Sequence, residues 1–478
     1  MILSFLKKYY HLIILFTCLI VYTLVRYKDL FLPYFWDEMA VYSRAAMYLN
    51  DHNLSILPSA LTPLISRGHP ILFAFLHGSA MRIFGTDLIV GHTVSLIFSF
   101  SLVLVLYYVA RSMLNKTLGL IAALTLMAQP IFIGQSMLML PEILLAMLVL
   151  LAAHFYLREK WVGYIIACSI AVMIKETAVL IPVVAGLYGL LIRIRSLNFK
   201  YVLTHVLVNL VPAMIFGLFL IVQKIQHGFY LFPFHMKMLA REQLNTLAHI
   251  YNYLEFIFIE QGRFLISLFI LAGLSKMIFQ VYKKTFRTNI QLRNFILFSL
   301  ILFITMIIFS GTFGYMNRYM TLLIPLLAIL GVMSLNYISG KINFAKIGLA
   351  LSILVIPFFY LETSVFDYEV DLGYKRHLNV LKRAVRYLEE EGLHDQQFFT
   401  NFPVNSAIKD VRRGYLSGKY DFKPSRAFDD HTTYVVISRP GSASHNFPGD
   451  VELESIKIFR DKFAQVEIFK VIRPEMRP

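Results

Sequence analysis

Charge is scarce in this sequence. Only 15% of its 478 residues are Asp, Glu, Lys or Arg, whereas 58% are hydrophobic, and the mean hydropathy is +0.64. A soluble domain of this length would not be so apolar, so the composition predicts an integral membrane protein. Cysteine is almost absent: Cys18 and Cys168 both lie in apolar runs, which excludes a disulfide framework and a Cys-based metal site. A glycine-rich phosphate loop and a plausible cytoplasmic DxD motif are also missing, which excludes a soluble sugar-nucleotide site of the usual kind. An internal repeat is missing as well, which disfavours a transporter.

Much of the sequence consists of long apolar runs. They predict a mainly α, polytopic membrane protein of about eleven transmembrane helices, although several runs are shorter than the roughly 20 residues that cross a bilayer upright. The first run follows Lys7 and Lys8 and is not followed by a small-residue cleavage site, so we interpret it as an anchor rather than a signal peptide. The predicted spans are 11–25, 88–110, 117–133, 136–157, 161–174, 177–192, 201–223, 264–282, 294–310, 319–338 and 344–361.

The distribution of basic residues predicts the orientation. With the N-terminus in the cytoplasm, the cytoplasmic segments contain fifteen Lys and Arg residues and a single acid, Glu159. Such an excess follows the positive-inside rule, so the net charge of +16 requires no nucleic-acid partner. The basic residues are Lys7, Lys8, Arg111, Lys116, Arg158, Lys160, Arg193, Arg195, Lys200, Lys283, Lys284, Arg287, Arg293, Lys341 and Lys346.

Three segments then face outward. Residues 26–87 form a loop whose apolar stretch 71–84 is predicted to lie in the membrane interface. The aromatic segment 224–263 is typical of an interfacial aromatic belt and is also compatible with a lid that covers a site. Residues 362–478 have a soluble composition. We therefore predict a transmembrane domain over 1–361 and a soluble α/β domain over 362–478 on the outer face.

Within the soluble segment, Leu378, Leu381, Val385 and Leu388 share one helix face, and Gly392 is predicted to end that helix. Two short apolar runs, 398–400 and 434–437, predict buried strands. The stretch 456–472 predicts a hairpin that turns near 460–462.

Polar residues collect at the predicted outer ends of the spans. Asp37 and Glu38 open the first outward loop. Acids at such a position either lie in solvent at a helix N-terminus or take part in catalysis. Lys175 and Arg318 are cations on the outer side, against the positive-inside trend. Taken singly, Lys175 is also compatible with a structural pair with Glu176, and Arg318 with snorkelling to headgroups. Together they suit a phosphate-bearing lipid substrate, because cations stabilise a departing phosphate and a carboxylate removes a proton.

The same residues resemble those of a known family. Trp36-Asp37-Glu38 after the first span is similar to the start of the first outer loop of GT-C membrane glycosyltransferases, in the branch related to dolichyl-phosphate-mannose–protein mannosyltransferases, which includes bacterial aminoarabinose transferases of lipid A. The other segments that carry the resemblance, in chain order, are His69-Pro70-Ile71-Leu72, Ile83-Phe84-Gly85, Leu140-Pro141-Glu142, Lys175-Glu176-Thr177-Ala178 and Arg318-Tyr319 with Pro325.

The resemblance implies an inverting transfer of a sugar, hexosyl or pentosyl, from a polyprenyl-phosphate donor to a lipid, protein or polysaccharide acceptor. It implies that 1–361 is the catalytic domain and that the reaction takes place at the outer face of a bacterial inner membrane. It implies Asp37 as the general base, with Glu38 supporting it or sharing the acceptor site. The donor phosphate and lipid would be bound by Lys175, Arg318, His69, Arg67 and Tyr319. His69 stands where aminoarabinose transferases have Lys, so a hexose donor is as compatible as aminoarabinose.

No cofactor beyond the donor substrate is predicted. A divalent ion is compatible with the Asp37–Glu38 pair but is not predicted, because no further ligand cluster accompanies it. Two other functions stay open at this point: a transporter, flippase or glycan polymerase acting on similar lipids, and a non-catalytic scaffold whose tail binds envelope partners.

Overall fold

The computed structural model describes residues 2–193, 199–242, 245–283, 290–313, 316–339, 344–363, 369–418, 422–425, 427–440 and 451–473. Arg195, Lys284, Arg287 and Lys341, which the orientation prediction uses, lie outside the described residues. The α-helices are α1 (Ile2–Arg26), α2 (Ser43–Asp51), α3 (Pro63–Ser66), α4 (Leu72–Phe84), α5 (Leu88–Met113), α6 (Lys116–Met127), α7 (Pro130–Gln135), α8 (Glu142–Leu157), α9 (Trp161–Ile174), α10 (Leu180–Arg193), α11 (Phe199–His227), α12 (Pro233–Glu242), α13 (Thr246–Phe258), α14 (Phe264–Tyr282), α15 (Ile290–Phe313), α16 (Ile324–Ser339), α17 (Phe344–Val355), α18 (Tyr374–Glu390) and α19 (Val404–Ala407).

The predicted spans coincide with these apolar helices, so the prediction of a polytopic α-helical protein is confirmed. Among the described residues, six helical segments are long and apolar enough to cross a membrane, and shorter apolar helices accompany them. Two boundaries were wrong. The run 117–133 is not one helix, because α6 ends at Met127 and Pro130 starts the separate helix α7, and α8 begins at Glu142 rather than at 136. Proline explains both breaks, since it restricts the preceding residue and cannot donate to the previous turn.

The ends of the bundle differ in chemistry. At one end, Tyr10 hydrogen-bonds Thr117 at 2.8 Å and Arg158 donates to the Ser112 carbonyl at 3.2 Å, so α1, α5, α6 and α8 meet there among basic residues. We call this the basic end. The acids and cations singled out from the sequence lie at the other end, which we call the site end.

The C-terminal segment contains a mixed five-stranded sheet. The strands are β1 (Phe398–Thr400), β2 (Pro424–Ser425), β3 (Tyr434–Arg439), β4 (Glu452–Asp461) and β5 (Ala464–Ile472), in the spatial order β2-β1-β3-β5-β4. Strand β1 pairs parallel with β2 and β3, whereas β5 is antiparallel to β3 and β4. Helix α18 packs on β5 and β4 through the predicted face, and Gly392 follows it with φ of 65°. The predicted helix, buried strands and hairpin are confirmed.

This sheet is packed against the site end of the helical bundle. One hydrophobic cluster joins residues of α18 and the sheet to Tyr34, Met39 and Met139 of the bundle. The backbone of Asp371 lies 2.8 to 3.0 Å from where a Cβ on Gly134 would sit, so only glycine permits this approach of the C-terminal segment to α7. The division into two domains at 361/362 stays a prediction, because the packing across that boundary is continuous.

Candidate active site

Asp37 and Glu38 point to different parts of the molecule. Trp36 has a left-handed backbone, with φ of 43°, and a single π-helical turn over Glu38–Tyr42 connects it to α2. Such turns carry one residue more than an α-turn and are frequent at functional sites. This local twist directs the two consecutive carboxylates towards different parts of the molecule.

Glu38 is fully buried and its hydrogen-bonding capacity is used by the protein. Its Oε1 accepts from His92 Nε2 at 3.0 Å and from the Met139 backbone N–H at 2.7 Å, and its Oε2 accepts from the Phe35 N–H at 3.0 Å. His92 Nδ1 lies 2.9 Å from the Leu30 carbonyl. These bonds tie the first outer loop to α5 and to the segment before α8. Its contacts favour a structural role for Glu38 over the catalytic role predicted from the sequence.

Asp37, by contrast, faces a buried cluster of opposite charges. Its Oδ2 accepts from Arg318 Nη2 at 2.5 Å, and its side chain keeps 20% exposure. Arg318 Nη1 donates to Glu369 Oε2, and Arg318 Nε lies 3.4 Å from Glu142 Oε1. One guanidinium, carried by the 3-10 turn Asn317–Leu323 before α16, therefore faces three carboxylates. We call these residues together with Lys175 the Arg318 cluster.

Lys175 completes this cluster from the end of α9. Its Nζ donates to Glu142 Oε1 at 2.6 Å and lies 4.1 Å from the centre of the Tyr319 ring. A buried ammonium is stabilised by such a carboxylate and by the face of an aromatic ring. The structure thus brings Asp37, Lys175, Arg318 and Tyr319 together, as the sequence-based assignment requires.

Arg67 and His69 lie at the rim of the Arg318 cluster. His69 Nδ1 is 3.1 Å from Glu176 Oε2, and its ring is 5.2 Å from that of His235. Arg67 is half-buried, and within the described part of the chain its guanidinium forms no hydrogen bond or ion pair, although its charge acts on Asp37. It is the cation of this site that is least committed to protein carboxylates.

Two residues of the segment 224–263, Phe232 and His235, pack against this rim. A Cβ on Gly68, which has φ of 76°, would lie 3.0 Å from Phe232 Cβ, so the start of α12 rests directly on the Gly68–His69 turn. Burial, and then the neighbouring His69, lowers the pKa of His235 to about 4, so this imidazole is neutral at physiological pH. At this contact the segment therefore places an aromatic ring and a neutral imidazole against the rim.

Asp37 and Glu369 differ in the direction in which their pKa values are shifted. Burial raises the pKa of Asp37, but the guanidinium of Arg318 more than offsets this, so the pKa lies below its usual value and Asp37 is ionised at neutral pH. Burial raises the pKa of Glu369 to about 8 despite the same guanidinium, and the negative charge of Asp37 adds to that rise. Glu369 is therefore mostly neutral at pH 7.

Sequence reasoning left two carboxylates of this cluster out of the predicted site. Glu142 carried a usable signal, because an acid at the start of an apolar run is rarely tolerated without a partner. Glu369 carried none, because only the docking of the C-terminal segment places it at Arg318. Within the described residues, no group of three or more His, Cys, Asp or Glu is arranged to hold a metal ion.

Comparison with known proteins identifies a related family over part of the chain and a shared fold over nearly all of it. Residues 68–221 match the family model described as dolichyl-phosphate-mannose–protein mannosyltransferase. The structure of ArnT from Cupriavidus metallidurans bound to undecaprenyl phosphate is similar over 98% of this chain and 99% of that chain, with a TM-score of 0.58 and 12% identity. The chain has the GT-C fold. The resemblance predicted from the sequence is confirmed.

The same ArnT in the apo state covers 94% of this chain and 97% of its own, with a TM-score of 0.56 and 11% identity. At this identity the likeness establishes the fold alone. An oligosaccharyltransferase from Archaeoglobus fulgidus, in complex with Zn and sulfate, matches with a TM-score of 0.47 and 12% identity over 85% of this chain and 64% of that one. No curated protein sequence gives a significant match.

Proposed function

We propose that this protein is a membrane glycosyltransferase that moves a sugar from a polyprenyl-phosphate donor to an acceptor at the outer face of the membrane. The observation that carries this proposal is the partly exposed, ionised Asp37 held against Arg318, at the junction of the outer loop and the apolar helices. The family match over residues 68–221 and the fold shared with an ArnT that binds undecaprenyl phosphate support it.

In the proposed reaction Asp37 takes the proton of the acceptor hydroxyl or amine as that atom attacks C1 of the sugar. The bond between C1 and the phosphate oxygen breaks, and the polyprenyl phosphate leaves with the electron pair. Attack from the face opposite the leaving group inverts the anomeric centre. The leaving phosphate gains one negative charge, which Arg318 and Lys175 are placed to stabilise, while Arg67 at the rim helps to bind the donor phosphate.

Binding of the donor would also prepare the base. In the absence of substrate Arg318 holds the pKa of Asp37 low, which makes Asp37 a weak proton acceptor. A phosphate that shares the guanidinium weakens the Asp37–Arg318 pair, so the pKa of Asp37 rises and its basicity increases. Base strength is then greatest when donor is bound.

The orientation and compartment belong to the same proposal. An N-terminus in the cytoplasm, with the basic end inside, places the site and the C-terminal sheet on the periplasmic side of an inner membrane. The acceptor is then a lipid, protein or polysaccharide of the cell envelope. Glu38 is assigned to holding the loop that carries Asp37, on the basis of its contacts.

The test is donor consumption by purified protein in detergent across a panel of polyprenyl-phosphate sugars with candidate acceptors. We expect Asp37→Asn to lower turnover by about 10²–10⁴-fold, because a general base is lost while the shape of the side chain is kept. Thermal unfolding of the variant checks that it is folded.

Two results would contradict the proposal. Unchanged turnover by Asp37→Asn would remove Asp37 as the base. A folded wild-type protein that moves labelled lipid across vesicle membranes, yet consumes no donor with any acceptor, would favour the transporter or flippase alternative instead.

A further inference from the structure

Glu369, like Glu142, is a member of the Arg318 cluster that the proposed reaction does not use. It follows the last apolar segment, its backbone is left-handed with φ of 72°, and its side chain is 1% exposed. Its Oε2 is bonded to Arg318, whereas its Oε1 accepts no hydrogen bond from any described residue. A buried carboxylate oxygen without a donor is costly, so this position calls for an explanation.

The segment that carries Glu369 is held firmly in place. Asp371 accepts from the Gly373 N–H at 2.7 Å and from the Thr363 N–H at 3.1 Å, and Gln261 donates to the Val370 carbonyl at 3.1 Å. The approach of Asp371 to Gly134 fixes the same segment against α7. Glu369 is thus directed at Arg318 by its backbone.

The charges of the cluster decide what Glu369 can do when a donor binds. The two cations of the cluster are Arg318 and Lys175, and Asp37 and Glu142 balance their charges. A bound phosphate together with an ionised Glu369 would place two further negative charges at one buried guanidinium, which is strongly unfavourable. Protonation of Glu369 removes one of these two charges.

We propose that Glu369, in its ionised form, occupies the place of the donor phosphate on Arg318, and that it takes up a proton from water and gives up the guanidinium when the phosphate binds. The carboxylate becomes a neutral carboxylic acid, and no other bond changes. This inference rests on the proposed function, because it assumes a phosphate ligand at Arg318. It makes Glu369 a positioning residue that links donor binding to pH.

The charged groups that act on Glu369 are Arg318, Asp37 and Glu142, and the pKa of Glu369 is raised to about 8. Below pH 8 the carboxyl is already neutral and does not compete for Arg318. As the pH rises through 8 it ionises and competes, so the affinity for the phosphate falls. A single competing ionisation of this pKa weakens binding roughly tenfold between pH 7 and pH 9.

The experiment measures the dissociation constant of undecaprenyl phosphate for the full-length protein in detergent from pH 7 to pH 9. The variant Glu369→Gln, which has the same shape and no charge, should bind as tightly as wild type at pH 7. The ratio of the wild-type dissociation constant to that of the variant should then rise roughly tenfold by pH 9. Ionisation of the lipid phosphate itself affects both proteins equally, so it cancels from their ratio. Glu362→Gln is the matched control, because Glu362 lies near the same segment but pairs with Arg376, at 3.0 Å, on the surface.

A measurement on wild type alone guards against misfolding of the variant. Calorimetry at pH 8.5 in two buffers of different ionisation enthalpy should show proton uptake on binding. Parallel pH curves for wild type and Glu369→Gln, weaker binding by the variant at every pH, or no proton uptake would each overturn the exchange of Glu369 with phosphate. Absence of lipid-phosphate binding by folded wild type would instead overturn the proposed function, and this inference with it.

Discussion

Two buried ionic clusters begin at neighbouring residues and differ in how completely they are satisfied. Around Glu38, both carboxylate oxygens accept hydrogen bonds, and both nitrogens of His92 face acceptors. In the Arg318 cluster, Glu142 Oε2 and Glu369 Oε1 lack hydrogen-bond partners among the described residues, and three acids face two cations. A satisfied cluster fixes structure, whereas an unsatisfied one leaves capacity for a ligand.

The largest expected effect separates these roles by breaking the satisfied cluster. Glu38→Ala removes the counter-charge of His92 and the acceptor of two backbone N–H groups, so we expect it to cost about 3–5 kcal/mol of stability. Thermal unfolding in detergent measures this, with Asp37→Asn as the adjacent comparison that should lose less stability, because Arg318 keeps Glu142 and Glu369 as partners. If the Glu38→Ala protein unfolds like wild type but no longer transfers sugar, Glu38 has the catalytic role that the sequence predicts.

The next effect tests the ligand capacity of the Arg318 cluster. Lys175→Ala should lower the kcat/KM for donor by about 10²-fold, because a preorganised cation near the leaving phosphate is lost and Glu142 keeps only Arg318. Steady-state kinetics with varied donor measures it. Lys116 is an exposed lysine of the basic end, so Lys116→Ala is the control and should leave kcat/KM for donor unchanged. If the rate kept the same dependence on donor concentration, Lys175 would not contact the donor phosphate.

The smallest effect concerns the rim of the same cluster. Arg67→Ala should raise the KM for donor about tenfold with little change in kcat, because the contact is made equally in the ground and transition states. Arg67→Lys keeps the charge and should recover part of the affinity. A fall in kcat at constant KM would instead mean that Arg67 acts only as the charge develops on the leaving phosphate.

The fold was largely predictable, because apolar runs and the bias of basic residues are properties of local sequence. The meeting of Asp37, Lys175 and Arg318 was predictable for the same reason, since each lies at the same end of an alternating set of helices. The breaks at Gln129–Pro130 and at Pro141 were missed because the runs 117–133 and 136–157 stay apolar across them.

The separation of Asp37 from Glu38 was not predictable, because it depends on a left-handed Trp36 and a π-helical turn. Glu369 was not predictable either. Glu362, Asp367, Glu369 and Asp371 all follow the last span, and nothing in their spacing selects Glu369 as the one that reaches Arg318. That selection follows from the contact between Asp371 and Gly134, which only the folded chain reveals.

The π-helical turn at Glu38–Tyr42 also makes this loop intolerant of changes in length. Deleting one residue there would restore a regular α-helix and rotate everything after it by about 100° relative to Asp37. Helix α2 packs on α4, so its buried face would turn outward while the carboxylate stayed in place. Chains that share this turn can therefore change residues between Asp37 and Ser43 but are not expected to gain or lose one, which makes the spacing itself a means of recognising the same site in other sequences.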